Sequence, residues 1–218
     1  MPRGQFIAIE GIEGVGKSTQ FERLASAIEG AGHPLVRTRE PGGTPVAERI
    51  REVVLGHAEE PIPPMAELLL MFAARAVHVE NLIRPALDAG RWVLTDRFVD
   101  ASRAYQGGGR GISMAIIDEL ASQVVSGLEP DLVVLLDAPV DTAMARIDSR
   151  GSHDRMDSEK ADFYRRVREK YLELAERSPE RFAVVDASGD IDQVGEAIDS
   201  AAAKLLGSNA DMTSRKTI

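Results

Sequence analysis

The chain is 218 residues long and 44% apolar, which suits one α/β domain with a full hydrophobic core. Twenty-six basic residues against thirty-five acidic ones leave a formal net charge of −9, so the basic footprint of a nonspecific nucleic-acid binder is missing and no nucleic-acid partner is expected. Without a cysteine, the chain can build neither a disulfide framework nor a thiolate metal site.

No apolar run approaches the roughly 20 residues of a membrane helix, and Glu10 and Glu13 interrupt the stretch where a signal segment would need its apolar core. A soluble, cytoplasmic protein with no membrane partner is the expectation. One domain is expected over residues 1–206, and residues 207–218, polar and unpatterned, read as a disordered tail.

Phe6-Ile7-Ala8-Ile9 reads as a buried strand. The segment that follows, Gly11-Ile12-Glu13-Gly14-Val15-Gly16-Lys17-Ser18, fits G-x-x-x-x-G-K-[ST], with Thr19 next in line. Glycines let the backbone turn its N–H groups toward one point, and a helix start aims its positive dipole end there. Lys17 adds a charge for β and γ phosphates, and the Ser18 hydroxyl suits Mg²⁺. A chance match is the competing reading. The strand before the motif and the helical pattern after it (Phe21, Leu24, Ala25, Ile28) favour a socket for a nucleoside triphosphate.

A helix over 17–31 ends at Gly32, and 34–38 makes a second strand, a βαβ start. The turn-rich loop 39–44 then places Arg39 at a strand's C-terminal end, where doubly wound sheets put their ligands. Arg39 is there a candidate anion clamp or a solvated loop residue. A helix over 46–55 carries Arg49 and Arg51, a Pro-rich connector spans 56–64, and a long apolar helix is expected over 65–87. Within it Met71, Phe72 and Arg75 share a face. That face suits a flat heterocycle, or equally a core Phe beside a rim Arg.

The third strand, 91–97, runs into Asp96 and then Arg97. An apolar strand ending in a carboxylate is the Walker B pattern for Mg²⁺, and a rival ends at Asp137. The adjacent arginine favours Asp96. Residues 100–110 read as a short helix ending in three glycines, with Ser102 and Gln106 four apart; an amide there can pair with a pyrimidine edge or simply cap the helix. A helix over 113–127, a strand over 132–137 and a helix over 140–150 follow. The segment around 146–157, with Arg146, Arg150 and Arg155, reads as a lid that supplies the cation residues 12–16 of the loop lack. A helix over 158–177, a strand over 182–186 and a helix over 191–206 complete an α/β fold with a five-stranded parallel sheet flanked by helices. The four histidines show no metal-ligand spacing.

GIEGVGKST, TREPGGT, FAAR, TDRF, AYQGGGRG, PDLVVLLD and RGSHDRMD together resemble the thymidylate kinase family, in its bacterial form with the catalytic arginine in the lid. The resemblance covers the chain to about Leu206. It implies a P-loop kinase fold, transfer of a phosphoryl group from ATP to dTMP within dTTP biosynthesis, Mg²⁺ on Ser18 and Asp96, and a homodimer. It implies that Lys17 and the loop amides hold ATP, with Arg146 near it, and that Glu13 faces the acceptor sugar. It further implies Arg39 and Arg97 on the acceptor phosphate with Arg51 nearby, Arg75 on a thymine carbonyl, and Ser102 and Gln106 on the other edge. A deoxyribose preference would fit packing near the sugar's 2′ carbon by Tyr105 or by the Glu40-Pro41 turn. Arg150, with Arg155 and Arg146, closes over the transferring group. The family's stacking aromatic stands four residues before the helix arginine; here that slot is Met71, and Phe72 is taken for the role with Met71 as the fallback. Phe98 replaces a tyrosine after the Asp-Arg pair. Two rival readings are another nucleoside monophosphate kinase and a GTPase-type switch, and the absence of Asn-Lys-x-Asp weighs against the second.

Overall fold

A computed structural model describes residues 3–56, 60–148, 155–156 and 159–207. Five strands, β1 (Phe6–Glu10), β2 (Leu35–Arg39), β3 (Trp92–Asp96), β4 (Leu132–Asp137) and β5 (Phe182–Asp186), form one parallel sheet in the order β2-β3-β1-β4-β5. All of β1 is buried, as a central strand covered on both faces must be. The register pairs Ile9 with Asp96 and Asp96 with Arg39, so β1, β2 and β3 end at one edge of the sheet. That edge is where a parallel α/β sheet opens its crevice.

Helices α1 (Lys17–Gly30), α2 (Pro45–Leu55) and α3 (Pro64–His78) follow the first two strands. The Thr44 side chain accepts from Ala47 N at 3.4 Å and Pro45 occupies the first helical turn, the preferred chemistry of a helix start. The long helix expected over 65–87 is interrupted. After α3 comes a π-helical turn, Val79–Ile83, then α4 (Arg84–Asp88), with Arg84 N–H donating five residues back to Val79 O. Pro85 supplies the reason, since it has no N–H and its ring crowds the preceding turn, and one inserted residue accommodates both.

A second π-helical run replaces the glycine-ended helix expected over 100–110: α5 (Val99–Ser102) continues into Arg103–Gly109. The glycines pack closely instead of looping out. A Cβ on Gly107 would meet Met114 Sδ at 2.7 Å, and one on Gly109 would meet the Phe163 ring at 2.4 Å. The run is thereby pressed against α6 (Met114–Val125) and α8 (Ala161–Arg177), which turns Tyr105 and Gln106 toward the crevice. Helices α7 (Val140–Asp148) and α9 (Ile191–Gly207) complete the order. Among the described residues, no helix is long and apolar enough to cross a membrane. Arg150 and residues 208–218 of the expected tail lie outside the described residues.

Candidate active site

β1 delivers the chain into the loop at Gly11. Gly14 (φ 80°) takes a backbone conformation that side chains disfavour, and a Cβ there would meet Ala143 O at 2.1 Å. The loop therefore lies against α7.

Lys17 is 8% exposed, and its Nζ donates to the Gly11 and Ile12 carbonyls at 3.1 and 2.8 Å and to Glu13 Oε2 at 3.3 Å. The same Glu13 oxygen accepts from the Tyr105 hydroxyl at 3.2 Å and from Arg97 Nη2. Arg97 holds φ at 72°, rare outside glycine and the kind of strain that collects at functional sites. Its guanidinium also reaches Gly11 O at 2.9 Å and the hydroxyls of Tyr105 and Tyr171 at 3.0 and 3.2 Å. Tyr171 in turn donates to Glu10 Oε2 at 2.6 Å, and Phe98 N–H donates to Glu10 Oε1 at 2.8 Å.

These neighbours split two carboxylates in opposite directions. Burial raises Glu13, but Arg97 and then Lys17 overcome it and bring the carboxyl down to about 2. Glu10 is fully buried, and burial followed by the nearby Asp100 raises it to about 7 against the pull of Arg97. Burial, and then Arg97, lowers the Lys17 ammonium.

A cavity of about 440 Å³ opens over this cluster. Lys17, Arg39, Arg51, Arg97 and Arg146 face it against Glu13, Glu40 and Asp96, an excess of cations in a chain whose net charge is −9. The cavity is thus suited to anions. Ser18 and Thr19 line it as well. The two Walker B candidates separate here: Asp137 forms a two-point ion pair with Arg168 at 2.6 and 2.8 Å, whereas Asp96 lines the cavity and its Oδ1 is buried without a hydrogen-bond partner.

A second cavity shares Glu13, Glu40, Arg51 and Arg97 with the first and runs on to Glu67, Met71, Tyr105, Gln106 and Met156. Two ligands can therefore meet at Arg97. Several expected residues stand differently from the sequence reading. Phe72, taken for the stacking role, is 2% exposed beneath the Arg75 guanidinium at 4.7 Å, and Met71 lines the cavity in its place. Arg75 is 1% exposed, its Nε on Glu40 Oε2 at 2.6 Å, its Nη1 on Ser102 Oγ at 3.0 Å and its Nη2 on Phe98 O at 2.9 Å. Arg75 and Ser102 thus stand behind the cavity wall, whereas Gln106 lines it. Arg155, expected over the phosphoryl group, instead donates to Val54 O at 2.8 Å and to Glu67 Oε2 at 2.6 Å, at the far end of the second cavity. Arg39 pairs with Glu48 at 3.0 Å, Arg51 donates to Pro41 O at 2.8 Å, and Arg146 donates to Ala187 O at 3.1 Å.

A family model described as thymidylate kinase matches residues 9–198. The chain belongs to the thymidylate kinase family. It is 50% identical over 208 residues to the thymidylate kinase of Hahella chejuensis, covering 95% of this chain and 100% of that one. It is 51% identical over 200 residues to that of Chromohalobacter salexigens, covering 91% and 94%. The crystal structure of the Ehrlichia chaffeensis thymidylate kinase superposes with a TM-score of 0.72 at 32% identity, over 94% of this chain and 100% of that one. The five-stranded parallel sheet flanked by helices is the P-loop kinase fold of that family. Sequence reading of this thymidylate kinase family member passed over Glu10, Glu67 and Tyr171. Glu67 carried a signal, as a lone carboxylate ahead of the apolar run Leu68-Leu69-Leu70-Met71; Tyr171 looked like one more aromatic on a charged helix.

Proposed function

We propose that the two cavities hold ATP and dTMP end to end and that the chain transfers the γ-phosphoryl group to the 5′-phosphate of dTMP, giving ADP and dTDP for dTTP synthesis. The observation that carries this reading is the joining of the two cavities at Glu13 and Arg97. The acceptor phosphate is already an anionic nucleophile, so positioning and charge neutralisation suffice and no strong general base is required.

In this reading the loop amides and Lys17 take the ATP phosphates, with Arg146 beside them. Incoming phosphates replace Glu13 as the partner of Lys17 and Arg97, and the released carboxylate turns to the acceptor sugar. Arg39, Arg51 and Arg97 surround the acceptor phosphate. Met71 and the Tyr105 edge flank the base and sugar, Gln106 meets the base edge, and Arg75 supports that wall from behind through Glu40 and Ser102. Ser18 and Asp96 would hold Mg²⁺: a hydroxyl and an orphaned buried carboxylate oxygen are the sparse donor set this ion takes when phosphates complete its shell. When bound, it would neutralise phosphate charge. Arg150 is assigned to the closing lid through the family resemblance, as the cation over the transferring group.

The reading extends to a single domain over 1–206, a cytoplasmic location and a homodimer. Support for the dimer lies in Val46 and Val53 on α2, Met65 and Leu69 on α3, and Ile116 on α6, exposed apolar residues on helices that pack side by side. Light scattering at twice the chain mass would test it. The activity is tested by a coupled assay of ADP release across dTMP, dUMP, UMP, CMP, AMP and GMP. The highest kcat/KM is expected with dTMP, and a higher value with CMP or AMP would overturn the assignment.

A further inference from the structure

Gln106 is 2% exposed and lies on the wall of the second cavity. Its two amide atoms have different fates: Nε2 donates to Glu67 Oε1 at 2.9 Å, while Oε1 is buried with no hydrogen-bond partner. An unpartnered buried acceptor beside a cavity calls for a donor from whatever fills that cavity.

The orientation of this amide follows from the charges beside it. Glu67 is 1% exposed and accepts from Arg110 through Nε at 3.3 Å and Nη2 at 3.1 Å, and from Arg155 Nη2 at 2.6 Å. Two guanidinium groups on one carboxylate keep it ionised. An ionised carboxylate only accepts hydrogen bonds, so the side of Gln106 that faces it must be the NH₂. Rotating the amide by half a turn would press Oε1 against a carboxylate oxygen and leave the NH₂ pointing into the cavity.

We infer that Glu67, held by Arg110 and Arg155, is a positioning residue that fixes the Gln106 amide with its oxygen toward the cavity and so selects bases with a ring N–H against cytosine. Thymine and uracil present N3–H to such an acceptor; cytosine presents the lone pair of N3 and is repelled. Discrimination at this edge thus originates in the carboxylate that takes the amide's NH₂, as well as in the amide itself. The inference rests on the assignment of the second cavity to dTMP.

The test is calorimetric binding of dTMP and dCMP to the wild type, to Glu67→Gln and to Arg110→Gln. In Glu67→Gln the new amide can donate as well as accept, Gln106 is free to turn over, and the ratio of dCMP to dTMP dissociation constants should fall at least about tenfold. Arg110→Gln leaves the Glu67–Gln106 bond in place and should keep the ratio, whatever it does to stability. An unchanged ratio in Glu67→Gln, or an equal fall in both variants, overturns the inference, whereas absence of dTMP binding in the wild type would instead overturn the cavity assignment. A measurement on the wild type alone covers a Glu67 variant that does not fold. The N3 proton of 5-fluoro-dUMP is more acidic than that of dTMP, so its affinity relative to dTMP should drop as pH rises through the fluorouracil ionisation. A constant relative affinity would mean the amide can present its NH₂ to the anion, and the inference would fall.

Discussion

Glu10→Gln offers the sharpest check on the electrostatics under the active site. Glu10 is the last residue of β1, fully buried, and accepts from Phe98 N and the Tyr171 hydroxyl, with Asp100 and Arg97 the nearest charges. Its carboxyl moves from an ordinary 4.5 in the unfolded chain to about 7 in the folded one. The folded state therefore holds this proton more tightly than the unfolded state does. The stability it represents is fully present below pH 4.5 and is lost as pH rises through 7, a change of about 3 kcal/mol. Glutamine cannot ionise, so the variant lacks this loss. Its amide still accepts from Phe98 N, and any misfit with Tyr171 adds a constant that does not vary with pH. Urea unfolding of the ligand-free protein at half-unit intervals from pH 4.5 to 8.5 should thus show the variant gaining about 3 kcal/mol on the wild type across that range, at unchanged m-value. Two parallel stability curves would mean that Glu10 is ionised throughout, and the account of a carboxylate kept neutral beneath Arg97 would be wrong.

Lys17→Ala should lower turnover in the coupled assay by at least about 10²-fold while thermal unfolding stays cooperative, because in the proposed arrangement this cavity-lining ammonium takes the ATP phosphates; near wild-type turnover would remove the lysine from the ATP site. Arg150→Ala should lower kcat by about 10³-fold with little change in either KM, as expected of a cation that acts on the transition state; an unchanged kcat would move that role to another residue. Met71→Ala should raise KM for dTMP about tenfold at nearly constant melting temperature. Phe72→Ala should instead cost about 3–5 kcal/mol of stability, measured by urea unfolding, and the reverse pattern would return the stacking role to Phe72.

What the sequence revealed depended on how local each feature is. The P-loop sits within eight consecutive residues between a strand and a helix, so its place in the fold was readable from spacing. The choice between Asp96 and Asp137 was harder because the deciding partner, Arg168, comes from α8, 31 residues beyond Asp137. Arg155 looked like a lid cation for the same reason: Glu67, which holds it, lies 88 residues away. Phe72 was misplaced by rotation. A period of 3.6 sets Met71, Phe72 and Arg75 on one face, but which of them borders the cavity depends on how the buried Glu40–Arg75 pair orients α3. The π-helical turns break that period altogether, and only Pro85 and the three glycines hinted at them.

The counter-ion of each arginine distinguishes those that can release their partner from those that cannot. Arg97 is paired with Glu13, whose side chain is 19% exposed, and Arg39 with Glu48, 37% exposed. Arg75 and Arg155 are paired with Glu40 and Glu67, at 2% and 1%. A carboxylate near water can yield its cation to a phosphate and recover hydration, so the exchange costs little. A sealed carboxylate that lost its guanidinium would be left as an uncompensated buried charge, a loss of about 3–5 kcal/mol. The cations over the P-loop are therefore held on replaceable partners until nucleotides arrive, while Arg75 and Arg155 stay as framework. The same distinction explains why a chain so rich in acidic residues can still present an anion site: Glu13 and Glu48, which hold Arg97 and Arg39, are carboxylates that can move aside.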